Sequence, residues 1–350
     1  DFPGRIGVFC GTGNNSYYLE NVLKNPEKLE DYGALQAMIA NEKDYTATRI
    51  AHKLNLNGPA VNIQTACSTS LVAVCQAVES LRAGECEIAI AGGASLTFPQ
   101  QQPHTPEDGS IKSHDGHTRP FDINANGTVF SAGGGIIVLK RLDYALEDND
   151  RINAVIKGVA INNDGANKGS FSAPSEAGQK NVILAAQQEA GMTSDQLGYI
   201  EAHGTATPIG DPIEVAALKE AFQANTSNTK STCFLGSVKG NLGHLTAAAG
   251  VTGLIKSTLS VAEGLIPASI NFTEANPDLR LDSSPFTVSS VNREWTDDAK
   301  NRYAGISSFG IGGTNAHVII NGYAAQQAPN ETQSDLPLCL SAKTQTALTQ

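Results

Sequence analysis

Residues 60–84 read AVNIQTACSTSLVAVCQAVESLRAG, and this stretch indicates the fold class. Its first five residues are typical of a short buried strand. From Ser68 to Ala83 apolar residues recur every three or four positions, which predicts a helix with one apolar stripe. We expect Ser68 or Thr69 to cap this helix and Gly84 to end it. A strand that leads directly into a helix is typical of α/β folds with parallel strands.

The same alternation of short apolar runs and longer helical patterns continues along the chain. The predicted strands are Ile6–Cys10, Ala60–Gln64, Ile88–Ala91, Gly135–Leu139, Ile152–Ile161, Gly198–Ala202, Cys233–Val238, Phe286–Ser289 and Val318–Asn321. The predicted helices include Ser68–Ala83, Glu176–Ala190, Asp211–Phe222 and Ala247–Ala262. Helices of this length between strands predict crossover connections and a buried, largely parallel sheet.

A weak internal echo divides the chain. The order strand, polar turn and small-residue helix occurs at Val61–Ala83 and again at Cys233–Ala262. This hints at two related halves that meet near residues 141–151. A polar stretch from Ala324 to about Asp335 then has the composition of a linker, and a new apolar element begins at Leu336.

Composition excludes several classes of protein. The chain has 350 residues, 34 of them glycine, and a net charge of −11, which makes nucleic acid an unfavourable partner. No run approaches 18 apolar residues, so we expect no spanning helix, and the start of the chain shows no signal-peptide pattern. Six cysteines without a CxxC pair are typical of reduced thiols in the cytoplasm.

Cys67 is the first candidate for chemistry. It lies between the predicted strand and the N-terminus of the predicted helix, where backbone N–H groups and the helix dipole favour a thiolate. We therefore expect a lowered pKa and a nucleophilic role. The alternative is a small buried core residue, and that is our interpretation of Cys75 and Cys86.

Two histidines and a lysine follow other predicted strands. His203 lies in EAHGTATP and His244 in SVKGNLGH, and glycine turns adjoin both. Side chains at strand ends are presented at one edge of a parallel sheet, so we expect both histidines near Cys67. A lone histidine is more often structural, but two in matching contexts favour a site. Lys239, flanked by a strand end and Gly240, is either a surface lysine or a salt-bridged site lysine.

Two further motifs are candidate ligand sites. The segment Ser307–His317 is rich in glycine but fits neither GxxxxGK[ST] nor GxGxxG, so an oxyanion or substrate-facing loop is the better interpretation. His114 and His117, with Asp115 between them, have the spacing of a metal pair. No second pair follows at ligand spacing, so we expect no metal site.

Taken together, these segments resemble the β-ketoacyl synthase domain of modular polyketide synthases, in the thiolase-like superfamily. The resemblance runs from about Arg5 to Asn321. Four ordered motifs carry it: Thr65–Ser70, Glu201–Glu214, Gly236–Gly250 and Ser307–His317. Supporting matches are Asp115–Asp122, Ile161–Gly165 and Gly58–Ala60.

The resemblance implies a mechanism and a set of site residues. Cys67 would accept an acyl chain from an acyl carrier protein, and a malonyl-type extender would lose carbon dioxide and attack that thioester. His203 and His244 would hydrogen-bond the extender carbonyl, and Lys239 would organise them. The oxyanion hole would be formed by the backbone N–H groups of Cys67 and Ile311. Substrate and pantetheine contacts are implied for Thr205, Thr207, Phe309, Gly310 and Gly312.

The resemblance also implies the fold. It is a thiolase-like α/β fold of two pseudo-duplicated βαβαβαββ halves in αβαβα layers, with an N-terminal half at 1–150, a C-terminal half at 151–323 and a linker at 324–350. Relatives have an earlier strand, which we place at the centre of the first sheet, between the Ile6 and Ile88 strands. We therefore expect the 350 residues alone not to fold to an active enzyme.

Partners follow from the same resemblance. We expect a cytoplasmic homodimer that pairs through the Ala60–Gln64 strand, docks acyl carrier protein, and works beside other synthase domains such as an acyltransferase. No cofactor is expected beyond phosphopantetheine on the carrier. Ile311 stands where many relatives have a second aromatic residue, so we expect different control of chain length.

Three alternatives remain beside chain elongation. One is a non-elongating domain that only transfers acyl chains, which the presence of His203 disfavours. A degradative thiolase would need a second cysteine in Ser307–His317, and that segment has none. A purely structural role would require the short N-terminus to be natural.

Overall fold

The computed structural model describes residues 2–100, 103–107, 109–227, 232–324 and 344–346. Almost all of the predicted linker after residue 323 lies outside these residues, as does the apolar element at Leu336–Leu340.

The described residues form strands, helices and single-turn helices that alternate along the chain. The strands are β1 (Ile6–Thr12), β2 (Ala60–Asn62), β3 (Ile88–Ser95), β4 (Gly133–Lys140), β5 (Ala154–Asn163), β6 (Leu197–Glu201), β7 (Cys233–Gly236), β8 (Leu265–Ile266), β9 (Phe286–Thr287), β10 (Arg293–Glu294), β11 (Tyr303–Phe309) and β12 (Thr314–Gly322).

The helices are α1 (Pro26–Tyr32), α2 (Ala34–Asn41), α3 (Thr46–Leu54), α4 (Thr69–Arg82), α5 (Leu142–Glu147), α6 (Glu176–Ala190), α7 (Gly210–Ala224), α8 (Lys239–Leu242) and α9 (Ala249–Glu263). The single-turn helices are Tyr18–Val22, Lys43–Tyr45, Ala66–Ser68, Ser194–Gln196, Thr246–Ala248, Pro277–Leu279, Leu281–Ser283 and Ala299–Asn301.

The main strands form two mixed sheets. The first has the order β2-β1-β3-β4 and the second the order β5-β12-β11-β6-β7-β9. The expectation of largely parallel strands holds only for part of each sheet. Strand β4 runs antiparallel to β3, and β12 runs antiparallel to both of its neighbours. The sheets divide between Lys140 and Ala154, whereas the domain limits at 150 and 323 stay predictions.

The predicted gap at the centre of the first sheet is wrong. Strands β1 and β3 pair directly and in parallel over seven residues, from Ile6 opposite Ile88 to Thr12 opposite Ala94. No unpaired edge is therefore left between them. In the second sheet, the first strand, β5, lies at the outer edge beside β12. If the two sheets are built alike, the position of an earlier strand in the first sheet is at the outer edge beside β4, away from the centre.

Helices α4 and α9 lie side by side between the two sheets. Ser70 Oγ accepts the Val251 N–H at 3.0 Å, and a Cβ added at Gly250 would lie 2.6 Å from Leu71 Cβ. Only glycine permits this close approach. Helix α3 packs on β1 from the outside, and α6 packs outside β5 and β12. The result is the expected five-layered arrangement, and the two central helices confirm the internal echo, since each follows a strand and a single-turn helix.

A search of the described residues finds no helix that is both long enough and apolar enough to cross a lipid bilayer.

His317 on β12 is a buried imidazole in this core. Its side chain has no solvent exposure, Nδ1 lies 3.0 Å from Ser307 Oγ, and Nε2 has no hydrogen-bond partner. Burial lowers the pKa of His317 to about 3, because a charged ring would lose its hydration without gaining a partner.

We expect His317 to make the fold sensitive to acid. An unfolded histidine has a pKa of about 6.5, so between that value and about 3 the unfolded chain binds a proton that folded His317 does not. Stability should therefore fall as the pH drops through this window, by up to about 1.4 kcal/mol per pH unit. Urea unfolding of His317→Leu between pH 7.5 and 5 should show a flatter slope by this amount.

The matched control is His52→Leu, since His52 is an exposed side chain on α3. Its slope should equal that of the unsubstituted protein. An unchanged slope in the folded His317→Leu variant would contradict this account of the buried ring.

Candidate active site

Cys67 lies in the single turn Ala66–Ser68 that leads into α4. Its backbone carbonyl accepts a hydrogen bond from Ser308 Oγ at 2.9 Å, which ties the turn to β11. The expected caps are absent, because Ser68 Oγ donates to Thr65 O and Thr69 Oγ1 accepts the Thr65 N–H. Both hydroxyls thus hold the turn that carries the cysteine.

The expected lowering of the Cys67 pKa is wrong in its net direction. Burial raises the pKa of this thiol above its usual value. The Ile311 N–H, the Lys239 ammonium and the backbone N–H of Cys67 all act to lower it, but they do not outweigh desolvation. The start of the helix therefore supplies groups that favour a thiolate, as predicted. The thiol is more deeply buried than the sequence indicated, and burial decides the net direction of its pKa.

His203 follows β6 and faces Cys67 across the cleft. Its Nδ1 accepts the Phe309 N–H at 3.4 Å, and its ring lies 5.7 Å from the Phe309 ring. Its own backbone N–H is held by Glu214 Oε1 at 2.6 Å. Burial, followed by the charge of Lys239, lowers the pKa of His203 well below its usual value. The ring is therefore neutral near pH 7.

His244 is held in a matching way by the turn before α9. Its Nδ1 accepts the Thr246 N–H at 3.1 Å, and burial with the charge of Lys239 lowers its pKa to about 3. The two imidazole centroids are 5.6 Å apart. In both rings Nδ1 is an acceptor, so the proton is on Nε2. The pair therefore presents two N–H donors to the cleft.

The sulfur of Cys67 lies close to a ring nitrogen of each of the two histidines. Within the described part of the chain, Cys67, His203 and His244 form the single group of three or more His, Cys, Asp or Glu side chains that could hold a metal ion, and their ligand atoms all lie within 4.8 Å of one another. That spacing would suit a metal, but a ligating Nε2 must be unprotonated. A proton moved to Nδ1 of either ring would face the backbone N–H that this nitrogen now accepts, and the two donors would repel each other. The arrangement therefore fits a nucleophile with two hydrogen-bond donors better than a metal centre.

Lys239 is a buried site lysine and not a surface residue. Its Nζ donates to the backbone carbonyl of His203. Burial lowers the pKa of Lys239, and the charges of Glu201, Glu214, Cys67 and Asp211, in that order, counteract this. Lys239 thus contacts the backbone of His203 and acts through its charge on Cys67.

Asp211 and Glu214 are buried acidic residues beside the site that sequence reasoning did not single out. The helix predicted from Asp211 begins one residue earlier, at Gly210. The Asp211 carboxylate accepts the N–H groups of Phe121 and Ala206, at 2.8 and 3.0 Å. Burial raises the pKa of Asp211 to about 7 and also raises that of Glu214. Acidic residues on an otherwise apolar helix face were the available signal.

The glycine-rich segment is a tight turn between β11 and β12, and not one long loop. The Gly310 N–H donates to Thr314 O at 2.9 Å, and Gly313 N–H donates to Gly310 O at 2.8 Å. The turn directs the Ile311 N–H at the sulfur of Cys67, while the Ile311 side chain is half exposed. The structure thus brings the two expected oxyanion donors, the N–H groups of Cys67 and Ile311, to the same sulfur.

We expect Gly310→Ala to disrupt this turn. The added Cβ would lie 2.3 Å from Thr65 O, a contact that forces the backbone to move. Such overpacking costs about 1–3 kcal/mol, and loss of one oxyanion donor lowers turnover by roughly a hundredfold to a thousandfold. Thermal unfolding and the acylation rate of Cys67 measure the two effects. Gly169→Ala is the control because its Cβ meets nothing within 4 Å, and an equal acylation rate in the two variants would contradict this role for Gly310.

Of the residues expected to contact substrate, the two threonines and Gly312 lie in turns that are partly exposed or meet an exposed ring. Thr205 and Thr207 are partly exposed, with their hydroxyls 3.2 Å apart, and Thr207 Oγ1 also accepts the Gly210 N–H. Gly312, at φ +102°, faces the ring of Phe171. Phe130, which no sequence motif identified, stacks on His244 with centroids 5.5 Å apart.

The pair His114 and His117 is not brought into the site. Both are exposed, and the intervening Asp115 is occupied by two hydrogen bonds from Arg119 Nη1. These contacts explain the motif as a surface turn.

Comparison with known sequence families places the whole described core in one family. Residues 2–145 match the β-ketoacyl synthase N-terminal domain and residues 153–273 the β-ketoacyl synthase C-terminal domain. Residues 275–350 match the ketoacyl-synthetase C-terminal extension.

Several polyketide synthases are similar along almost the entire chain. One polypeptide of the phenolphthiocerol/phthiocerol polyketide synthase of Mycobacterium tuberculosis (strain CDC 1551 / Oshkosh) is 45% identical over 99% of this chain, which spans 24% of that protein. Polyketide synthase PksN of Bacillus subtilis (strain 168) is 38% identical over 96% of this chain and 6% of its own length. The chain thus spans a quarter or less of these relatives.

A solved structure agrees in fold. Ketosynthase twelve of the bacillaene polyketide synthase from Bacillus amyloliquefaciens superimposes with a TM-score of 0.86 at 37% identity. The match covers 92% of this chain and 56% of that one.

Proposed function

Since this chain belongs to the β-ketoacyl synthase family of modular polyketide synthases, we propose that it joins an acyl chain held on Cys67 to a malonyl-type unit held on an acyl carrier protein. One observation carries the proposal: the sulfur of Cys67 and one ring nitrogen each of His203 and His244 lie within 4.8 Å of one another. This places a nucleophile beside two neutral donors, which is what the condensation requires.

The first step is acyl transfer. The Cys67 thiolate attacks the carbonyl carbon of the acyl-carrier thioester, and a new C–S bond forms. The old C–S bond breaks, and the carrier thiol leaves with a proton. The N–H groups of Cys67 and Ile311, which both favour negative charge on this sulfur, are suited to stabilise the intermediate oxyanion.

The second step makes the carbon–carbon bond. The extender's carboxylate leaves as carbon dioxide, and its electron pair passes into an enolate. We assign the Nε2–H groups of His203 and His244 to the enolate oxygen. The enolate carbon then attacks the Cys67 thioester, the C–S bond breaks, and the β-ketoacyl chain remains on the carrier while the thiolate regains a proton.

Buried charges prepare the site for both steps. The Lys239 ammonium lowers the pKa of Cys67 and disfavours protonation of both imidazoles. Asp211 and Glu214 hold the backbone around His203 and offset the lysine charge. This balance keeps two neutral donors beside a buried sulfur whose thiolate form the ammonium favours.

The carrier's phosphopantetheine arm is the proposed occupant of the approach channel. Partly exposed hydroxyls at Thr205 and Thr207 suit its amides, and the turn at Phe309, Gly310 and Gly312 suits the thioester end. We propose no other cofactor for this domain.

The wider setting is also a proposal. Relatives of this chain are far longer synthases, which supports neighbouring domains such as an acyltransferase in the same chain. The edge strand β2, with Val61 exposed, is available to pair across a homodimer. The five cysteines of the described residues are free thiols, which supports a cytoplasmic location.

The competing function is transfer without elongation. His203 is present and anchored at both its ring and its backbone, which disfavours that alternative. The test loads Cys67 with an acyl group and adds malonyl-carrier protein. Elongation should release carbon dioxide and empty Cys67, whereas a stable acyl-Cys67 without carbon dioxide release would contradict the proposal.

A further inference from the structure

A buried ion pair lies close to the reacting groups. Glu201, at the end of β6, contacts Lys256 of α9 at 2.9 Å, and their side chains are 2% and 16% exposed. Glu201 is two residues from His203 but does not reach the cleft. Burying two charges is unfavourable unless each charge has several partners, so we expect this pair to have a specific role.

The carboxylate of Glu201 is saturated with hydrogen bonds. Its Oε1 accepts the Val238 N–H at 2.5 Å, and its Oε2 accepts the Tyr199 hydroxyl at 2.6 Å as well as the Lys256 ammonium. Val238 directly precedes Lys239. The carboxylate therefore fixes the start of the turn from which the Lys239 side chain reaches the His203 carbonyl.

Glu201 is also the strongest of the charges that favour the ammonium form of Lys239. Burial lowers the pKa of Lys239, and Glu201 counteracts this more than Glu214, Cys67 or Asp211 does. Lys239 in turn lowers the pKa of Cys67 and of both imidazoles. A path of direct contacts and charges thus runs from Glu201 to every reacting group.

We propose that Glu201 is a positioning residue, which holds the Val238–Lys239 turn and keeps the Lys239 ammonium charged beside Cys67. Lys256 and Tyr199 hold the Glu201 carboxylate in its orientation. The effect on thiol reactivity follows from these contacts and charges and does not depend on the condensing function. The effect on turnover rests on the condensing function proposed above.

The test is the pH dependence of Cys67 alkylation in the full-length protein. Glu201→Gln keeps the shape and the acceptor for Val238 but removes the charge. We expect the midpoint for iodoacetamide labelling of the Cys67 peptide, followed by mass spectrometry, to rise by about one pH unit. Labelling below the midpoint should be about tenfold slower. Glu220→Gln, at an exposed pair with Lys180, should leave the midpoint unchanged.

A second variant tests the proposal if Glu201→Gln fails to fold because Lys256 has lost its charged partner. Glu201→Gln with Lys256→Met removes both charges together and should show the same rise. An unchanged midpoint in either folded variant overturns the proposal. The midpoint could rise in these variants while the unsubstituted protein never condenses an acyl chain. That result would contradict the proposed function and leave the role of Glu201 intact.

Discussion

Cys67→Ala is expected to abolish acyl transfer to the chain. The sulfur of Cys67 is the proposed nucleophile and lies close to the two imidazoles, and its backbone is held by Ser308 without help from the side chain. The variant should therefore fold normally and gain no acyl mass from an acyl-carrier thioester. Intact-mass spectrometry measures this directly, and acylation of the folded variant would contradict the role of Cys67.

The matched control is Cys86→Ala. Cys86 is a second buried thiol, 3.6 Å from Ser80 Oγ and outside the site. This variant should acylate as the unsubstituted protein does. A loss of acylation here would mean that the assay reports folding instead of chemistry.

His203→Ala is expected to separate the two steps. Acyl transfer to Cys67 should persist, because the oxyanion donors are the N–H groups of Cys67 and Ile311. Decarboxylation of the malonyl unit should fall by about a hundredfold to a thousandfold, since one of two donors to the enolate is lost. The backbone of residue 203 remains held by Glu214 and Lys239, so the surrounding turn should stay in place.

Two measurements on one sample check this. Mass spectrometry follows acyl-Cys67, and carbon dioxide release follows decarboxylation. His52→Ala, at an exposed position on α3, is the control and should affect neither. Full condensation by His203→Ala would remove His203 from the mechanism.

Much of the site could be predicted because its residues come from short local patterns. Cys67, His203 and His244 each follow a strand and a turn, and side chains at strand ends were expected to converge. Because β2 lies in the first sheet and β6 and β7 lie in the second, their meeting also depends on how the two sheets pack together. The helix α6 has the predicted bounds, Glu176–Ala190, because its apolar spacing and its ends are unambiguous.

Other features depend on tertiary contacts that no local pattern carries. Helices α1 to α3 were not among those predicted, and neither was β11, whose residues YAGISSF lack clear alternation. The direct pairing of β1 with β3 is a choice between strand neighbours, which sequence spacing leaves open.

The electrostatics were the least predictable part. A helix N-terminus favours a thiolate at Cys67, but the raised pKa results from burial by residues distant in sequence. Asp211 was predicted as the first residue of a helix, yet its carboxylate accepts the N–H groups of Phe121 and Ala206. Glu201 looked like the end of a strand, and only the structure shows it next to Lys256.

The central claim is that this site forms a carbon–carbon bond on Cys67-bound acyl chains. The most direct measurement loads Cys67 with an acyl group, adds malonyl-carrier protein, and weighs the carrier afterwards. The account predicts a β-ketoacyl carrier two carbons longer than the loaded chain, with one carbon dioxide released for each acyl group lost from Cys67. An acyl group that stays on Cys67, with the malonyl unit unchanged, would contradict it.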